Sequence, residues 1–184
     1  HRITGGASRN DVASIVYANC DGLRIVGDGA TIDIDGAFHR SADVAQGKFA
    51  QSHHNTVIPF LMRNCQRFSI EGLTLDGNVD RMTRDASVAE APGSAIATYD
   101  CRDYTIRNVN AHHFQTDGVY LGGSDERCDR NAHLVNVRSW ANARQGLSVI
   151  HLRQGVFSGC RFEDTGRTGG RYLAHLPSAG VDVE

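Results

Sequence analysis

Two carboxylates near the C-terminus, Asp182 and Glu184, stand two residues apart in an alternating stretch, Val181-Asp182-Val183-Glu184. On a β-strand that spacing puts both on one face roughly 6.5 Å apart, the lower edge of the separation at which an acid and a base accommodate a water for inverting glycoside hydrolysis. The same alternation also places polar side chains in solvent with no further role, and both readings stand. Upstream, Gln115-Thr116-Asp117-Gly118 ends in an Asp-Gly pair that either caps a turn or offers a carboxylate to a sugar hydroxyl. Tyr120 and Arg144 are the residue types of a β-elimination site, in which Arg neutralises an acidic group and a Tyr or His moves the proton. They equally make a binding platform of one aromatic face and one bidentate donor. His112 and His113 precede the Asp117 corner and His151 follows a later strand, so imidazoles could serve as acid or base at one end of a groove, or be plain polar surface. His53-His54 has no carboxylate or cysteine at metal-ligand spacing and reads as loop.

Much chemistry is unsupported. The chain has no Gly-x-x-x-x-Gly-Lys loop, dinucleotide fingerprint, Gly-x-Ser-x-Gly elbow or His-Glu-x-x-His motif. Five cysteines include no Cys-x-x-Cys pair, which leaves no cysteine-based metal site, and the residues give no metal ligand set. A formal charge of -2, with arginines scattered among acidic neighbours, provides no basic field, so nucleic acid is not an expected partner. No apolar run approaches the roughly 20 residues of a membrane span, so no membrane insertion is expected, and the first residues lack the apolar stretch of a signal peptide.

The elements that would position these groups emerge when the chain is aligned on itself. Ile15-Val16-Tyr17-Ala18-Asn19-Cys20, Phe60-Leu61-Met62-Arg63-Asn64-Cys65 and Ile96-Ala97-Thr98-Tyr99-Asp100-Cys101 superimpose without gaps. Beyond each cysteine, Leu23 and Ile25 match Phe68 and Ile70, then Tyr104 and Ile106, giving a second alternating strand. Later units keep the first strand as Gly118-Val119-Tyr120-Leu121, Gly146-Leu147-Ser148-Val149 and Gly180-Val181-Asp182-Val183. Second strands recur around a column of Gly27, Gly72, Asn108, Asn136 and Gly159, residues that accept the left-handed backbone of a sharp corner. The spacing between units runs from 23 residues (Ile96 to Val119) to 45 (Ile15 to Phe60). This is too irregular for leucine-rich or ankyrin repeats and suits a solenoid with outward loops at Asp35 to Thr56, Asn78 to Pro92, Ser124 to Asn131 and Asp164 to Ala179. Cys20, Cys65 and Cys101 form a core ladder in this scheme, and Asn108 with Asn136 an amide ladder.

The expected fold is therefore all-β: one domain, residues 1–184, forming a single-stranded right-handed parallel β-helix of about six coils, a fragment of a longer solenoid cut at one or both ends. The columns of Cys and Asn, with Asp-Gly before an alternating strand, resemble the pectate-lyase-like superfamily of right-handed parallel β-helices over almost the whole chain. Gln115 to Gly122, and Arg144 to Val149 followed by Ala179 to Glu184, look like its bacterial branch of polysaccharide lyases and glycoside hydrolases. Gln115-Thr116-Asp117-Gly118 also resembles the Asn-Thr-Asp-Gly motif of polygalacturonases, but Tyr120 stands where that family has its next Asp, and its Asp-Asp pair and Gly-His-Gly segment are missing.

The resemblance implies an extracellular or periplasmic protein that cleaves or remodels a polysaccharide or oligosaccharide, anionic in the leading case. It requires no cofactor, with Ca²⁺ an option for bridging a uronate. The candidate site residues on the outward face are Asp117, Asp182, Glu184 and His113 for catalysis and Tyr120, Arg144, Gln145, Ser148 and His151 for substrate binding. The rival is a non-catalytic glycan-binding, adhesin or tailspike-like shaft with the same outward residues. Oligomeric state stays open.

Overall fold

A computed structural model of the chain describes residues 2–3, 15–34, 58–81, 83–84, 93–124, 126–166, 171–172, 174 and 176–184. The Asp35 to Thr56 insertion, with His53 and His54, lies outside them. The described residues are all-β, with no α-helix and two main sheets built from parallel strands.

The first sheet contains Val16–Ala18, Phe60–Arg63, Ile96–Tyr99, Val119–Gly122, Leu147–Val149 and Val181–Val183, each beside its predecessor. The second contains Arg24–Ile34, Ser69–Asp76, Arg102–His112, Asp129–Val135 and Leu152–Ser158 in sequence order. Arg138–Trp140 and Arg161–Glu163 extend it beside the far half of Arg102–His112, and Arg2–Ile3 pairs with Asp33 and Ile34. The chain thus visits the two sheets in alternation.

Short runs of β-branched and aromatic residues make these strands because alternate positions can be buried against the same positions one repeat away. Phe60, Ile96, Val119 and Leu147 form one inward row in register, and Ile70, Ile106 and Leu134 another on the opposite sheet. These rows meet in a continuous apolar core, to which Phe68 and Tyr104 add a ring stack with centroids 4.8 Å apart. Cys65 and Cys101 are buried in the same core, Cys20 packs on its edge, and all five cysteines are free thiols.

Left-handed residues turn the corners. Gly72, Asn108, Asn136 and Gly159 have φ of 69°, 52°, 52° and 64°, and the Asn136 amide donates to Asn108 Oδ1 at 3.2 Å. Gly27 does not share that conformation. Asp28 and Gly29 carry the positive φ instead, because the register shifts between Val26 and Ala30 and two extra residues face Gly72. A second left-handed column, Asn19, Asn64 and Asp100, explains the polar residue before each aligned cysteine, and Asn64 donates to Asn19 Oδ1 at 2.7 Å.

Insertions on the two sides of the alignment also meet. Thr83–Arg84 pairs in parallel with Arg171–Tyr172, which joins the loop after Asn78 to the loop after Asp164. The 124–131 insertion begins as a tight turn, with Ser124 and Arg127 exchanging backbone hydrogen bonds and Gly123 bridged to Cys128.

Candidate functional site

The outward row of the first sheet runs Leu61, Ala97, Tyr120, Ser148, Asp182 in strict register. Its chemical groups are gathered by the corners that precede the strands. Residues 113–118 and 141–146 lie side by side as successive rungs: Ala143 N–H donates to Phe114 O, Arg144 N–H to Thr116 O, and Gly118 N–H to Gln145 O. Beneath them Ser139 donates to Gly146 O at 2.9 Å and Asn142 donates to Ser139 at 2.8 Å, so both corners rest on a satisfied polar layer. Gly118 is required there, since a Cβ would fall 1.8 Å from Ser139 Oγ.

This zippered corner brings Arg144 against Asp117. Nε donates to Oδ1 at 2.9 Å and Nη2 to Oδ2 at 2.7 Å, with the carboxylate 1% and the guanidinium side chain 15% exposed. Burial, reinforced by the charges of Asp182 and Glu184, pushes the Asp117 carboxyl upward, against its contacts with Ser148 and the Gln145 backbone. The two-toothed guanidinium contact needs two acceptor oxygens and favours the ionised form, so the pair is an ion pair whose charge is costly to keep. Burial lowers Arg144 while Glu184 and Asp182 raise it.

Beside the pair, Tyr99 and Tyr120 pack ring against ring at 5.4 Å and join Ile58, Leu61 and Ala97 in a small apolar cluster outside the main core. Burial first, then Tyr99 and the acidic neighbours, push the Tyr120 phenol up to about 12, and burial also raises Tyr99. Neither phenol is therefore poised to lose its proton near neutrality; both can donate hydrogen bonds.

These residues line a cavity of about 400 Å³, walled by Tyr99, Tyr120, Asp117, Arg144, Ile150 and Glu184, among others. Ile150 and Glu184 also border a second depression of about 270 Å³ that includes His151, so the two adjoin along the outward face. Ser148 is fully buried and donates to Gln145 Oε1 at 2.9 Å, while Gln145 Nε2 donates to Asp182 Oδ2.

Asp117, Tyr120, Arg144 and Glu184 thus converge on one cavity, and His151 borders its neighbour. Gln145, Ser148 and Asp182 form a hydrogen-bonded chain alongside. His113 does not join them: its ring lies with His112, Asp76 and Asp80 near the other sheet, because its backbone turns left-handed at φ 56°. Those side chains include the one group of three metal-capable residues found among the described residues, Asp76, His112 and His113. Sequence reading did not single out Tyr99 or Ile58, although the column alignment sets Tyr99 one repeat from Gly122 on the same face.

No protein family, curated protein or solved structure matches the chain.

Proposed function

We propose that this chain is a right-handed parallel β-helix of a carbohydrate-active protein, and that it binds and cleaves an anionic polysaccharide along its outward groove. The observation that carries the reading is the convergence of Arg144, the Tyr99–Tyr120 pair and Glu184 on one cavity of about 400 Å³, with Asp117 buried behind the guanidinium. The handedness follows from the strong preference for right-handed crossovers between parallel strands. Aromatic surface beside fixed polar donors is what a sugar ring and its hydroxyls need, and Tyr99 and Tyr120, tilted 36° to each other, supply it.

The individual environments favour β-elimination over hydrolysis. Asp117 is enclosed with both oxygens held by Arg144, so it acts as a positioning residue that fixes the guanidinium. Asp182 is engaged by Gln145, so the Asp182–Glu184 pair does not stand ready as two equivalent carboxylates. What faces substrate is the Arg144 guanidinium to hydrogen-bond a uronate carboxylate, an exposed carboxylate, Glu184, to take the α-proton, and the neutral Tyr120 phenol to protonate the leaving oxygen. Such substrates belong outside the cytosol, which makes an extracellular or periplasmic site of action part of the proposal. A second reading, binding without cleavage, is favoured by the mutual satisfaction of Asp117 and Arg144.

The test is incubation with a panel of acidic and neutral glycans, following absorbance of unsaturated uronates together with new reducing ends. Unsaturated product that is lost in Arg144→Lys and Glu184→Gln supports elimination, because Lys keeps the charge without the fork. Reducing ends without unsaturation would replace it by hydrolysis. Retention of acidic glycans on the protein without either product would establish the binding reading, and absence of both binding and turnover would overturn the proposal.

A further inference from the structure

Away from the groove, three successive repeats place Asp76, His112 and Trp140 at one register position of the second sheet. Neighbouring residues of a strand normally face opposite ways, yet His113 joins His112 on one side because its left-handed backbone ends the strand. The two Nδ1 atoms come within 2.7 Å of each other, with the rings nearly perpendicular at 86°. Asp76 Oδ1 lies 3.4 Å from His112 Nδ1 and 3.9 Å from His113 Nδ1. A shared proton satisfies one contact among these atoms, and one ligand atom from each of the three side chains lies within 4.8 Å of the other two.

We propose that Asp76, His112 and His113 form a binding site for a borderline divalent transition metal, Zn²⁺ being the best fit, which clamps adjacent repeats and leaves a ligand position open to water. Tetrahedral Zn²⁺ with bonds of about 2.0–2.1 Å spaces its ligand atoms roughly 3.3 Å apart. The three observed separations bracket that value, so small side-chain rotations complete the set. Nitrogen donors select against Ca²⁺, which takes oxygen ligands.

A second observation is independent of the ligand atoms. His113 Nε2, on the far edge of the ring, lies 3.8 Å from the Asp80 carboxylate. A carboxylate behind the non-ligating nitrogen is the usual support of a metal-bound histidine, fixing its tautomer and raising its basicity. The backbone holds that relation, since Gly77 N–H donates to His112 O at 2.9 Å and Val79 N–H to His113 O at 2.8 Å. A Cβ on residue 77 would come within 2.4 Å of His113 O, so glycine permits this close approach. His112 is braced by Trp140, with ring centroids 4.4 Å apart, and Arg138 lies 4.4 Å from the same indole.

Trp140 is the only tryptophan of the chain and touches a proposed ligand, so it reports binding directly. Metal-free protein is titrated with Zn²⁺ by calorimetry and with Co²⁺ and Ni²⁺ by tryptophan fluorescence and absorption. The expected result is one ion per chain, quenching of Trp140 by Co²⁺ and Ni²⁺, and a Co²⁺ spectrum without strong thiolate charge transfer. His113→Asn keeps a residue that tolerates positive φ and should abolish the stoichiometric site, as should Asp76→Asn. Asp80→Asn should weaken binding about tenfold or more while leaving stoichiometry intact. His133→Gln, an exposed histidine elsewhere on the same sheet, should change nothing. Absence of stoichiometric binding, thiolate bands, or full binding in His113→Asn would each overturn the assignment.

Discussion

A buried charge is only as stable as its partner, and at the residue scale the Asp117–Arg144 pair makes this measurable. Arg144→Ala leaves a carboxylate 1% exposed with no guanidinium, and removal of one partner of a buried pair costs about 3–5 kcal/mol. Since Arg144 retains some exposure, we expect about 3 kcal/mol by urea unfolding at pH 8. The deficit should shrink as pH falls toward 5, because burial raises the Asp117 carboxyl and loss of the Arg144 guanidinium raises it further, so that it enters the neutral form more readily. A deficit independent of pH would mean that the pair contributes through packing alone. Asp129 offers a second test. It is fully buried, accepts hydrogen bonds from Tyr104 and Thr98 and from the Cys101 backbone, and burial pushes it up to about 6 from 3.8. The folded state then holds a proton that the unfolded chain has released between pH 4 and 6, so this group's contribution declines across that window, by about 3 kcal/mol in all. Asp129→Asn should flatten that limb of the stability profile. Column spacing set Asp117, Tyr120, Arg144 and Glu184 at neighbouring positions of successive repeats, but it aligned Arg144 with Thr116 and Asp117 with Gln145, so the Asp117–Arg144 pair itself was not legible. Nor was Asp129, since its burial depends on Thr98 and Tyr104 arriving from another strand. His113 was misplaced because nothing in His112-His113 announces the backbone reversal between them.

Strands here are short, and the corners between them carry much of the local specification. Asn136 sits at φ 52° in the left-handed column and bonds Asn108 in the preceding repeat. Alanine there meets the steric cost of left-handed backbone, about 1–2 kcal/mol, and also loses the amide ladder, whereas glycine loses the ladder alone. We expect Asn136→Ala to lower stability by about 2 kcal/mol and Asn136→Gly by about 1 kcal/mol, read from denaturant midpoints. Equal losses would assign the position to hydrogen bonding and remove the conformational argument. The column itself was readable from residue types, since Gly and Asn recur where the strand bends. Its first member was not: Gly27 looked equivalent to Gly72, but the two extra residues opposite Gly72 move the turn to Asp28 and Gly29, a shift in register that composition does not encode.

For the whole molecule, stability is the sum of what each repeat buries against its neighbours, so the same row position is worth different amounts along the stack. Phe60, Ile96, Val119, Leu147 and Val181 occupy one inward row by register. Ile96 is fully buried with a neighbour on either side, while Val181, on the terminal strand of the sheet, is 47% exposed. The self-alignment made this row legible, because Ile, Val and Leu recur at the position after a glycine or small residue. It gave no measure of burial, which is set by how many repeats flank each residue rather than by the residue itself. Truncation of a fully buried isoleucine loses its transfer energy and leaves a cavity, together about 2–5 kcal/mol. Ile96→Ala should therefore cost about 3–4 kcal/mol, and Val181→Ala less than about 1 kcal/mol, although a residue-by-residue hydrophobicity scale would rank them much closer. Urea unfolding of both variants with the parent protein checks this. A comparable loss at the two positions would mean that the row does not act as a stack of nearest-neighbour contacts.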